Sequence, residues 1–324
     1  MESYLTLILF GGFLTLLILG APITVSLAGA SMAAYMLLDK NPIALVQIAF
    51  TSVGNFPLMA LPAFVLAGAL MEAAGISKRL VDIAESLAGP VTGGLGAATV
   101  MACLFFGAIS GSGPATTAAV GMLMVPAMVK RDYDKSYASA VTAASGGLGI
   151  IIPPSIPLVI FGISAMGLMA PPEAIAQHGQ FASLSIPKLF VAGVVPGFIM
   201  ASTLVVTNYF IAKREGYKGL SENWSFGEVR HALRRGIWSI LAPFLILGGI
   251  YSGMFTPTES AVVAIFYSLF VGVFIHRELS FKSTIKSLST TTWITGRVLL
   301  ILFAATVFGR LLIEQKIPVV VAES

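Results

Sequence analysis

The sequence predicts an all-α, polytopic membrane protein built from inverted-topology repeats, with a re-entrant hairpin, a broken helix and a truncated second repeat. Three observations predict it. The chain of 324 residues is 56% hydrophobic and only 10% charged, with a mean hydropathy of +0.91, outside the range of soluble domains. Two helix-breaking clusters, GAISGSGPATT at 107–117 and SGGLGIIIPPSIP at 145–157, lie inside apolar sequence. A break at membrane depth exposes backbone N–H and C=O groups that hydrocarbon cannot satisfy, so it survives only against protein or a watery cavity. Basic residues fall between the apolar runs, and the order of elements recurs late in the chain.

In chain order the apolar runs are Tyr4–Leu19, Ala21–Leu38, Phe56–Ala74, Gly93–Ile109, Ala115–Val129, Tyr137–Met169 with a central break, Leu189–Ala212, Ile237–Met254, Thr258–His276 and Ile294–Ile313. The first lacks the basic start and small-residue cleavage site of a signal peptide and reads as a retained span. A helix needs about 20 residues to cross the hydrocarbon. The two runs flanking 110–114 are shorter, which makes them the arms of a re-entrant hairpin. Both ends of such a hairpin must share one side of the membrane. Lys78 and Arg79 precede it and Lys130, Arg131 and Lys135 follow it, so the positive-inside tendency puts both ends in the cytoplasm. Threading onward adds Lys213, Arg214, Lys218, Arg230, Arg234, Arg235, Arg277, Lys282 and Lys286, giving 14 of the 19 basic residues on that side. The stretch 170–187, free of Lys and Arg, and the N-terminus fall outside.

The repeat is weak but ordered. Pro22 and Pro257, 235 residues apart, each open a helix after a preceding span. An amphipathic stretch (42–55; 280–292), a span (56–74; 294–313) and a turn (Gly75-Ile76; Lys316-Ile317) follow, the turns 241 residues apart. Opposite orientations of the two copies make this an inverted-topology repeat, an arrangement of secondary transporters. The hairpin after the first copy has no counterpart before Ser324, so the sequence is expected to be incomplete, lacking a second hairpin and a second broken helix.

Several function classes are disfavoured. A pI near 9.2 points to no nucleic acid, because loop orientation accounts for the basic residues. Cys103 is the only cysteine, which excludes an intrachain disulfide and a cysteine-cluster metal site; it reads as a small buried hydrophobe. His178, His231 and His276 have no metal-ligand spacing, and no nucleophile and base pair points to an enzyme. Glu72, Arg297 and Arg310 lie near span ends, where they can snorkel to the interface. Glu259, two residues after Pro257, reads as a first-turn cap. Trp224, Trp238 and Trp293 read as interface anchors, the amphipathic stretches as arms lying on membrane lipid or buried against a partner, and Gly93, Gly94, Gly96 and Ala97 as helix packing.

Three segments, SGSGPATTAAVG at 110–121, IPPSIP at 152–157 and TPTE at 256–259, together resemble the large membrane subunit of tripartite ATP-independent periplasmic (TRAP) transporters over essentially the whole chain, with a slight lean toward the sialic acid systems on overall likeness. The resemblance implies an elevator-type transporter that imports small organic anions with sodium as coupling ion in a bacterial inner membrane. It also implies two protein partners, a small four-helix membrane subunit and a periplasmic substrate-binding protein. On that scheme 1–91 and 213–316 are scaffold and 92–212 is the transport segment, comprising the hairpin (92–129), the broken helix (136–169) and the following helix (188–212); 317–324 begins the missing C-terminal transport segment.

Sodium is a hard cation that binds oxygen, and unwound helix supplies carbonyls to go with hydroxyls. The expected sodium ligands are Ser110, Gly111, Ser112, Gly113, Thr116, Ser145, Gly146, Gly149 and Pro153. Helices restarting after Pro114 and Ser155 would aim their positive ends into the same cavity, suited to a carboxylate, so Ser112, Pro114, Thr117, Pro154, Ser155 and Pro157 are the expected substrate residues. Rival readings are a sodium- or proton-coupled carboxylate carrier that needs no binding protein, which shares these devices, and an ion channel with carbonyl-lined re-entrant segments. C4-dicarboxylates, sialic acid and other carboxylated sugars all suit such a site.

Overall fold

The computed structural model describes residues 2–165, 176, 185–219 and 225–317, and the described residues are helical nearly throughout. The helices are α1 (Glu2–Ile18), α2 (Ile23–Leu37), α3 (Ile43–Val53), α4 (Ala60–Ala73), α5 (Ile76–Ala88), α6 (Gly94–Ser110), α7 (Gly113–Val129), α8 (Lys135–Gly146), α9 (Ile156–Ala165), α10 (Ile186–Glu215), α11 (Phe226–Tyr251), α12 (Pro257–Phe270) and α13 (Phe281–Glu314). Five described segments are long and apolar enough to cross a membrane: Phe56–Ala73, Ile186–Glu215, Phe226–Tyr251, Pro257–Ile275 and Phe281–Glu314. Trp224, His178, the end of the broken-helix run at 166–169 and the positions 318–324 lie outside the described residues.

Two compact units divide the chain, Met1–Leu58 with Thr292–Ser324 and Met59–Thr291. In the first, Leu9, Ala34, Ala49 and Leu311 are fully buried in one apolar cluster, edged by the ring contacts of Phe10 and Phe13 with Phe308. Lys40 pairs with Glu314 at 2.7 Å, and Arg310 reaches the same carboxylate at 3.0 Å, so Arg310 ends in an ion pair at the end of its helix.

The second unit holds both helix-breaking clusters. One of its cores gathers Phe106, Met124, Met128 and Leu148 from α6, α7 and the segment after α8, and includes Cys103, which is fully buried. A second core joins α4, α5, α11 and α12 through Phe64, Met71, Ile76, Leu80, Ile246 and Ala264. Thr256 and Glu259 form a reciprocal capping box at the start of α12, the structural role expected of Glu259. The α4–α5 turn is held by Arg79, which donates to the Gly75 carbonyl and to Glu278 at 2.9 Å each.

One sequence expectation fails in an instructive way. The second amphipathic stretch and the span after it form one helix, α13, whereas their first-copy counterparts are separated by Gly54 and a 3-10 turn at Phe56–Met59. Residues 281–295 contain neither Gly nor Pro, so nothing interrupts the i to i−4 bonding of α13.

Candidate functional site

The hairpin tip is made by a single left-handed residue. α6 ends at Ser110, Gly111 follows at φ +62° with its N–H bonded to the Gly107 carbonyl, a conformation that costs a side-chain-bearing residue about 1–2 kcal/mol. Ser112 is extended and caps α7, its hydroxyl accepting from the Ala115 N–H. The Ser112 carbonyl accepts the first backbone bond of α7, from the Thr116 N–H at 2.9 Å, and side-chain oxygens gather round it. Thr116 Oγ1 donates to it at 2.8 Å, Ser110 Oγ lies 3.4 Å from it, and the two hydroxyls are 2.9 Å apart. Ser110 and Thr116 are buried.

The broken helix is interrupted beside this tip. α8 closes at Gly146, a 3-10 turn covers Gly147–Ile150, and α9 starts only at Ile156, with a cis peptide between Pro153 and Pro154. Ser155 bridges the gap, donating to the Ile150 carbonyl at 2.6 Å and accepting from the Leu158 N–H. One backbone bond joins the two elements, Ile156 N–H to the Gly111 carbonyl at 3.1 Å. The starts of α7 and α9 therefore meet at one place, and both present the positive end of a helix there.

Glycine makes the approach possible. A Cβ on Gly107 would lie 2.8 Å from the Gly149 Cα, one on Gly149 would lie 2.9 Å from the Ser112 carbonyl oxygen and overlap Thr116 Oγ1, and one on Gly113 would lie 3.3 Å from the Gly146 carbonyl. Tip and break are thus in backbone contact.

Of the residues expected to bind sodium or substrate, the structure brings together Ser110, Gly111, Ser112, Gly113, Thr116, Thr117, Gly146, Gly149, Pro154 and Ser155: Thr117 abuts Gly146, and the Pro154 carbonyl abuts Gly111. Ser145 stands apart in its bonding, its buried hydroxyl turned back to the Val141 carbonyl at 2.6 Å. The Pro153 ring lies toward Gly193 of α10. Pro114 and Pro157 occupy the first turns of α7 and α9 and are exposed, so their part is to start a helix where a missing N–H costs nothing.

Ser110 Oγ, Ser112 O and Thr116 Oγ1, all neutral oxygens 2.8–3.4 Å apart, suit a hard monovalent cation by donor type. Sequence reasoning named these residues but missed the base of the same assembly. Asn208 of α10 is 2% exposed, donates from Nδ2 to the Gly93 carbonyl at 3.0 Å and accepts from the Tyr137 hydroxyl at 2.5 Å. An amide in a 30-residue apolar helix is the signal that would have found it.

Away from the tip, a charged cleft of about 740 Å³ opens between α5 and α11, lined among others by Asp82, Glu85, Arg131, His231 and Arg235. Burial, then the neighbouring Asp82, pushes the Glu85 carboxyl above its ordinary range, with Arg131 pulling the other way.

A family model described as the DctM component of the tripartite ATP-independent periplasmic transporter matches residues 10–324. Among curated relatives, the isethionate TRAP transporter permease protein DctMQ of Oleidesulfovibrio alaskensis is 40% identical over 98% of this chain and 47% of its own length. The C4-dicarboxylate TRAP transporter large permease protein DctM of Rhodobacter capsulatus is 36% identical over 85% of this chain and 61% of its own. The sialic acid TRAP transporter large permease protein SiaM of Vibrio cholerae is 38% identical over 84% and 59%. The chain thus spans about half to three-fifths of the length of these relatives.

Proposed function

Because the chain belongs to the DctM family of TRAP transporter large permeases, we propose that it is the membrane permease of a sodium-coupled importer of small organic anions in a bacterial inner membrane, loaded by a periplasmic binding protein and assembled with a small membrane subunit. The observation that carries this reading is the oxygen cluster of Ser110, Ser112 and Thr116 packed against Gly149 where two helices start. Sodium, a co-transported substrate here, would be held by those oxygens. The α7 and α9 starts would receive the anion, because the positive dipole end of a helix favours negative charge. Since Ser110, Thr116 and Ser155 bond to one another or to nearby carbonyls, occupancy of the site replaces existing hydrogen bonds and ties the tip to the break. That makes the two bindings mutually dependent, with a coupling of about 1–3 kcal/mol typical of such linkage.

Relatives named for isethionate, C4-dicarboxylate and sialic acid lie within 36–40% identity, which supports an anion class rather than one cargo. The test is uptake into proteoliposomes holding the full-length protein and its small subunit, with cognate binding protein and labelled succinate, sialic acid and isethionate in turn. Uptake of one of them that needs both the binding protein and an inward sodium gradient is the expected result. Sodium-driven uptake without the binding protein would make this an autonomous carrier, and steady single-channel current would make it a channel.

A further inference from the structure

We propose that Asn208 is a positioning residue: it sets the register of α10 along the hairpin and the broken helix, and through that register the geometry of the break that carries the ion and anion site. This rests on the site reading above.

α10 touches the assembly at two places. Near its start, a Cβ on Gly193 would lie 2.7 Å from the Ile151 carbonyl, and one on Gly197 would lie 2.7 Å from the Ile152 side chain, so α10 is seated directly on the interrupted backbone. Eleven residues beyond Gly197, about 16 Å along a helix rising 1.5 Å per residue, Asn208 makes its two bonds to Gly93 and Tyr137. Gly93 opens the hairpin at φ +71°, and Tyr137 lies in the first turn of α8. One amide thus joins three segments of the chain, α10, the start of the hairpin and the start of the broken helix.

The contacts at the break end, of Gly193 with the Ile151 carbonyl and of Gly197 with the Ile152 side chain, are steric and carry no side-chain hydrogen bond from either glycine. The Asn208 amide is directional: its donor and acceptor are both used, and a shift of one residue would break both bonds and leave a buried amide unpaired. A single buried Asn is the best attested way of fixing helix register. Space confirms the fit, because a Cβ on Gly96 would overlap Asn208 Oδ1.

The test uses the full-length transporter with its small subunit in proteoliposomes, reading the sodium dependence of uptake for Asn208→Ala, Tyr137→Phe, which removes one bond only, and Thr116→Ala at the tip. Register control predicts that Asn208→Ala raises the sodium concentration for half-maximal uptake roughly tenfold, the scale of two lost interhelical bonds, and Tyr137→Phe by less. A role confined to stability would lower the maximal rate and leave half-saturation unchanged, which overturns the proposal. Should Thr116→Ala also leave half-saturation unchanged, the site reading fails instead. A second readout needs no transport: in a Cys103→Ser background, Ile152→Cys and Gly197→Cys should cross-link readily with Asn208 present and poorly in Asn208→Ala. Equal cross-linking in both would overturn the proposal, as it would for an Asn208→Ala protein too impaired to transport.

Discussion

Two hydroxyl-rich stretches of this chain lead to opposite outcomes. Residues 110–117 carry four Ser or Thr and 283–295 carry eight, yet the first joins the hydroxyls of two helices to each other, whereas the second reaches another element through Ser287, which donates to the Ala69 carbonyl at 3.2 Å. In α13, Thr284 and Thr291 donate to the Ser280 and Ser287 carbonyls four residues back, the first just before the helix and the second within it. At the tip, Thr116 makes the same bond, to the Ser112 carbonyl that also takes its own N–H, but Ser110 joins it from the other arm, hydroxyl to hydroxyl at 2.9 Å. Hydroxyls and back-bonds occur in both; what differs is the second arm, which only a reversal of the chain brings within reach.

The largest expected effect separates the two stretches by a glycine next to each, Gly149 packed against the first and Gly296 following the second. Gly149→Ala puts a methyl into Thr116 and against the Ser112 carbonyl, forcing tip and break apart at about 1–3 kcal/mol. Gly296→Ala in α13 meets nothing within 4 Å and should stabilise by about 0.5–1 kcal/mol through helix propensity. Thermal unfolding in detergent reads both, and equal shifts would show that the tip and break yield freely.

Next comes the pair of buried threonines. Thr116 is fully buried and Thr291 is 7% exposed, so the same change to Val compares bonding rather than burial. Thr116→Val leaves the buried Ser110 hydroxyl short of a partner, while the Ser112 carbonyl keeps the Thr116 N–H, at about 1–3 kcal/mol. Thr291→Val strips a back-bond from a carbonyl that keeps its helical partner and should stay within about 0.5 kcal/mol. Matched losses at both sites would mean that the bond between Ser110 and Thr116 adds nothing to the back-bond that each threonine makes.

Much of this was legible because Gly and Pro are strong punctuation. Gly111, Gly113 and Pro114 placed the tip, Gly146–Gly149 and Pro153–Pro154 placed the break, and Pro257 with Glu259 placed a capped helix start. The continuity of α13 was hidden by reading a repeat in the order of parts rather than in breakers: the first copy has Gly54 and Pro57, and 281–295 has neither. Ser145 was grouped with the site by its place in the motif, but as a residue still inside α8 it bonds to Val141. Asn208 was missed because a tertiary hydrogen bond leaves no periodic trace.

The smallest effect carries the same distinction from hydroxyls to carboxylates outside the spans. Asp134 caps the start of α8 and accepts from the Tyr137 N–H at 3.0 Å, which holds its carboxyl below the ordinary range. Glu85 sits within α5, where backbone donors are taken, and burial with Asp82 nearby holds its carboxyl above that range. Linkage gives the two opposite signs. Asp134 contributes stability that is present above its unfolded-state pKa and lost as pH falls through its lower folded value, so Asp134→Ala should flatten the acid limb of the unfolding midpoint against pH. Glu85 takes up its proton more readily when folded, so its penalty is absent below the ordinary glutamate range and complete above its raised folded value. Glu85→Gln should therefore raise the midpoint slightly at neutral pH and remove the decline that sets in above the ordinary glutamate range. A lower midpoint at neutral pH in Glu85→Gln would mean that attraction to Arg131 outweighs burial, and that the cleft is held together by its charges rather than strained by them.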